Sequence, residues 1–173
     1  MISMQSTIWF LALYRVLKRR GETIEEIGVF AYQASAAYLQ AYPTFLRRVL
    51  GHATFSRRYR RRLQKRAAES QARRYPGDYV YRFVPGDGET FDYGVDYVEC
   101  AGVKFLREQG AAELAPYVCA ADILYSKALG WGLKRTTTLA QGGERCDFRF
   151  RRGAETQVAV PEPLEQYLRS KRT

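Results

Sequence analysis

The sequence is poor in the residues that most often carry metal and redox chemistry: its 173 residues include one histidine and three cysteines. The lone His52 excludes a paired-histidine metal helix and makes any Cys–His nucleophile pair depend on that one residue. Three cysteines, an odd number with no Cys-x-x-Cys spacing, exclude a complete disulfide framework and give a closed structural zinc site little support. Gly-x-Ser-x-Gly is absent, and so is a glycine-rich phosphate loop; Gly86-Asp87-Gly88 and Gly142-Gly143 sit between alternating segments, as hairpin turns do. No apolar run reaches the ~18 residues that a spanning helix needs. The longest, Ile8 to Tyr14, is followed at once by Arg15, Lys18, Arg19 and Arg20, the reverse of a secretory signal. Reduced thiols and a cytoplasmic location are the resulting expectation.

What is present is charge of one sign in one place. Between Arg47 and Arg74 there are eleven basic residues and one acidic residue, Glu69, so this window alone carries the net charge of +10. The remainder is balanced, which excludes a uniformly basic domain. Clustered arginine raises the local potential, so the window is a candidate contact for an anionic surface or nucleic acid; a solvated helix face is the plainer reading. Aromatic residues are abundant (13 Tyr, 9 Phe and 2 Trp), which suits a packed core or a ligand cavity.

The chain reads as a single domain over 1–173, with a helical part over 1–75, a hairpin–helices–hairpin region over 76–152 and a loosely attached tail over 153–173. Ser6 or Thr7 caps a first helix that Gly21 ends. Its apolar residues Ile8, Trp9, Phe10, Leu11 and Leu13 are expected to complete the core, with a homodimer interface as the other use. Thr23 and Glu26 have capping-box spacing for a second helix, which Pro43 stops. A basic helix is expected over about 54–74.

Beyond Tyr75-Pro76-Gly77 the period changes to two. Asp78 to Val84 and Glu89 to Val98 form a hairpin about Pro85-Gly86-Asp87-Gly88. Helical segments follow, from Glu99 to Gln109 and from about Glu113 or Pro116 to Leu129. Leu133 to Ala140 and Cys146 to Arg152 make a second hairpin, with Cys146, Phe148 and Phe150 on one face. The expected class is α+β, N-terminal helices packed on an antiparallel sheet of about four strands made from two hairpins flanking a helix pair.

Each cysteine lies near a carboxylate: Cys100 follows Glu99, Cys119 precedes Asp122 by about one helical turn, and Cys146 precedes Asp147. A thiol beside an acid can supply a nucleophile and a proton donor, or metal ligands; a free cysteine can equally just pack.

Four segments carry a resemblance. Tyr97-Val98-Glu99-Cys100, Glu113-Leu114-Ala115-Pro116-Tyr117-Val118-Cys119-Ala120-Ala121-Asp122, Leu133 to Thr138, and Gly142-Gly143-Glu144-Arg145-Cys146-Asp147-Phe148-Arg149-Phe150 resemble the L-2-amino-thiazoline-4-carboxylic acid hydrolase family. The resemblance covers about Phe91 to Arg152. It implies addition of water to C2 of a cyclic amidine, opening the thiazoline ring toward N-carbamoyl-cysteine. Under that resemblance Asp122 or Glu99 serves as acid or base, and Cys119 and Cys146 act covalently or frame the pocket. Arg135 or Arg149 holds the substrate carboxylate, and Tyr97 and Cys100 lie beside the substrate. The order Pro-x-x-Cys, helix, strand, Cys-x-Phe is also similar to the 4-vinyl-reductase ligand-binding domain. That likeness implies a non-catalytic small-molecule sensor as the alternative. In its sensor members, cysteines matching Cys119 and Cys146 hold zinc with a Glu and a Cys between them. Thr136-Thr137-Thr138-Leu139-Ala140 supplies neither, so no cofactor is expected; zinc stays open only if Glu99 or Asp122 replaces one of the two missing ligands.

Overall fold

The computed structural model describes residues 4–171. Four helices come first: α1 (Met4–Arg19), α2 (Ile24–Gln40), α3 (Thr44–Ala53) and α4 (Arg57–Ser70). Both halves of the expected capping box form at the start of α2: the Glu26 amide donates to Thr23 Oγ1, and the Thr23 amide donates to the Glu26 carboxylate. Helix α1 divides its residues by helical spacing. Thr7, Leu11 and Tyr14 turn into the core, while Ile8, Trp9 and Val16 remain exposed. The apolar run at its start is therefore only partly core.

The basic helix, expected over about 54–74, is shorter: α4 begins after Ser56, which caps it by accepting the Tyr59 amide on its side chain, and ends at Ser70. At the far end Ser70 and Gln71 bond the backbone of Tyr81, so α4 stops where it meets the edge strand.

The sheet is built from β1 (Val80–Pro85), β2 (Tyr93–Glu99), β3 (Leu133–Arg135), β4 (Cys146–Phe150) and β5 (Gln157–Val158), in the order β1-β2-β4-β3-β5. The two expected hairpins join through antiparallel β2 and β4, with Tyr93, Val95 and Tyr97 opposite Phe150, Phe148 and Cys146. These six residues share one buried face and form, with Leu133, the centre of the sheet-side core. The fifth strand adds a parallel pairing to β3 and makes the sheet mixed. Strand β3 stops at Arg135, short of the expected Ala140. The amides of Thr136 and Thr137 turn instead to the Asp147 carboxylate, at 2.9 and 2.8 Å.

Between the hairpins lie α5 (Ala101–Glu108), α6 (Ala115–Ala120) and α7 (Asp122–Leu129); the expected second helix of this region is broken at Ala121. Helix α8 (Glu162–Ser170) follows β5 and buries Leu164 completely, packing on α2. The tail expected to be loose is thus held by an apolar anchor. No helix among the described residues is long and apolar enough to cross a membrane.

Candidate active site

Where α1, α5, α6 and α7 meet the buried face of the sheet, they leave a cavity of about 50 Å3. That is a few times the roughly 10–15 Å3 that one water needs, room for a small cluster of waters. Its walls are mostly apolar, with Phe148 from the sheet and Val103, Leu106 and Val118 from the helices. Polar groups enter at a few points only, the composition of a small-ligand site.

The most polar of these points is an ion pair. Asp122 opens α7 and Arg135 closes β3; Arg135 Nη1 stands 2.6 Å from Asp122 Oδ2, with both side chains almost fully buried. The same nitrogen donates to the Cys119 carbonyl at 3.2 Å, and the guanidinium lies over the Phe148 ring, 5.3 Å from its centre. Arg135 Nε is buried and has no hydrogen-bond partner. A buried donor without an acceptor is costly.

All three cysteines line this cavity, Cys100 and Cys119 half-buried and Cys146 buried. Burial pushes each thiol up: Cys146 to about 11, Cys100 in the same direction, and Cys119 furthest. The Arg135 charge opposes this at Cys119 without reversing it. At neutral pH the three are therefore thiols, poor nucleophiles compared with thiolates. Cys146 Sγ also accepts the Leu139 amide at 3.2 Å. Tyr97 and Tyr79 complete the polar lining; burial raises both phenols, Tyr79 to about 12, so both are neutral hydrogen-bond donors.

Six of the eight expected site residues, Tyr97, Cys100, Cys119, Asp122, Arg135 and Cys146, come together here. Two do not. Glu99 lies at the end of β2 outside the cavity, where Arg73 and Lys104 take its two carboxylate oxygens and hold its carboxyl below the usual range. Arg149 projects from the opposite side of β4 and pairs with Asp96 at 2.7 Å. Thr7 and Tyr79 were not foreseen in the cavity; Thr7 is legible in retrospect from its helical spacing with Leu11 and Tyr14.

Among the described residues no three His, Cys, Asp or Glu side chains stand close enough together to hold a metal ion. Neither Glu99, held elsewhere, nor Asp122, held by Arg135, replaces the ligands that the Thr136–Ala140 stretch lacks.

The family described as L-2-amino-thiazoline-4-carboxylic acid hydrolase matches residues 2–150, and the chain belongs to it. The match takes in α1, which supplies Thr7 to the cavity, as well as the segments that carry the sequence resemblance. No curated protein and no solved structure matches the chain.

Proposed function

We propose that the chain is a hydrolase that opens a small cyclic amidine bearing a carboxylate, of the L-2-amino-thiazoline-4-carboxylate kind, in the cavity beside Asp122 and Arg135. The observation that carries this reading is the buried Arg135 at the cavity wall, tied to Asp122 through Nη1, with its buried Nε left without a partner. A substrate carboxylate in the cavity accepts from the Arg135 guanidinium, which Asp122 holds in place.

The reaction then needs little else. A water adds to C2 of the protonated amidine and gives one proton to Asp122. The tetrahedral carbon collapses by breaking its bond to sulfur; the sulfur takes the proton back from Asp122, and the remaining hydroxyl proton leaves to solvent. The products are a carbamoyl group on nitrogen and a free thiol. Tyr79 and Tyr97, both neutral, can donate to the oxygen that becomes the carbamoyl carbonyl. Cys100, Cys119 and Cys146 frame the cavity as protonated thiols and form no covalent intermediate.

The test is product identity. Incubation with L-2-amino-thiazoline-4-carboxylate yields N-carbamoyl-cysteine by mass spectrometry, and Asp122→Asn abolishes its formation. A non-catalytic binding domain with the same cavity would bind the compound and return it unchanged.

A further inference from the structure

A second concavity lies between α4 and the turn end of the sheet's first hairpin and shares no residue with the cavity. It is a cleft of about 460 Å3, with Arg57, Arg60, Arg61 and Gln64 of α4 on one wall and Phe83, Pro85 and Phe91 of the hairpin on the other. Gly86 and Gly88 of the turn border it. Positions 57, 60 and 61 fall on one side of a helix. Among the described residues none of these three arginines takes part in an ion pair.

The carboxylates nearby are otherwise engaged. Asp92 lines the cleft, but its Oδ2 accepts the Arg152 amide at 2.8 Å. Asp87, in the turn, accepts the amides of Glu89, Thr90 and Phe91. The first turn of α4 has no acidic residue to answer Arg57 and Arg58. Cations at the positive end of a helix add to its dipole and weaken it, so an anion held there relieves both.

We infer that this cleft binds a phosphorylated small molecule, the phosphate on Arg57, Arg60 and Arg61 and the apolar part against Phe83, Pro85 and Phe91. Guanidinium forks match phosphate oxygens in pairs, and a cation wall facing an apolar wall selects a ligand with one group of each kind. An extended polyanion would use the outer residues Arg58, Arg62 and Lys65 as readily, although none of them lines the cleft.

The probe is phenyl phosphate, titrated calorimetrically into the full chain at 0.15 M salt, where diffuse attraction is largely screened. Binding is expected to weaken by about tenfold or more in Arg57→Gln/Arg60→Gln/Arg61→Gln, and by less than about threefold in the charge-matched Arg58→Gln/Arg62→Gln/Lys65→Gln. The single variant Arg61→Glu, at an exposed position, gives the same loss without a triple change to α4. Equal losses in the two triple variants, or no binding by the unaltered chain, would overturn the inference.

Discussion

Arg135 and Asp122 face each other at 2.6 Å inside the protein, thirteen positions apart in the chain, at the wall of a cavity otherwise lined by apolar groups, thiols and the side chains of Thr7, Tyr79 and Tyr97. A buried ion pair is a poor source of stability, because desolvation of both charges consumes most of their attraction. Apolar residues of similar volume would hold α7 to β3 at least as well. The pair fits the proposed chemistry: a carboxylate held against a guanidinium at the cavity wall, with the guanidinium Nε left without a partner.

That view separates stability from activity at the same two positions. Asp122→Ala and Arg135→Ala should each cost about 3–5 kcal/mol, because each removes one half of a buried ion pair. The double variant Asp122→Leu/Arg135→Met should recover most of that stability in urea denaturation while remaining inactive. Additive losses in the double variant would mean that the two side chains act independently.

The thiols give a second check. With all three raised by burial, Cys146 to about 11, a chromogenic disulfide should react slowly with the native chain at pH 7–8 and rapidly after denaturation. One thiol that reacts in the native state as fast as a free cysteine would restore a covalent role.

The turn after β3 has a defined acid sensitivity. Burial opposes ionisation of Asp147, but the hydrogen bonds from Thr136 and Thr137 outweigh it and hold its carboxyl below the usual range. Its contribution is therefore fully present above the unfolded value of about 3.9 and fades as pH falls toward the lower folded one. Asp147→Ala should cost about 1–2 kcal/mol at pH 7 through the lost hydrogen bonds. The cost should shrink below pH 4 in urea melts followed across pH; a cost independent of pH would contradict it.

Helix α8 should matter to the whole fold. Leu164 is completely buried, so Leu164→Ala should destabilise by about 2–5 kcal/mol in thermal or urea denaturation. A change near zero would return the tail to a loose attachment.

Much of this architecture is legible in the chain because local rules decide it. Thr23 and Glu26 fix the start of α2, and the alternation of Cys146, Phe148 and Phe150 fixes the buried face of β4. That alternation also puts Arg149 on the other face, away from the cavity, a consequence stronger than its place in the family motif. Other features depend on partners far along the chain. Glu99 looks catalytic beside Cys100, but Arg73, twenty-six positions earlier, draws it away. Strand β5 is two residues long, too short to show a period, and β3 ends early because Asp147 competes for its next amides. The Asp122–Arg135 contact crosses from helix to strand, and no spacing rule predicts it.

The most direct measurement is thiol release from L-2-amino-thiazoline-4-carboxylate, followed with a chromogenic disulfide and corrected with a substrate-free control. The intact chain and Glu99→Gln should release thiol at similar rates, because Glu99 is outside the cavity. Asp122→Asn, checked as folded by circular dichroism, should fall by at least about a hundredfold if Asp122 is the proton carrier. Undiminished release from Asp122→Asn, or loss in Glu99→Gln alone, would contradict the assignment of this cavity as the active site.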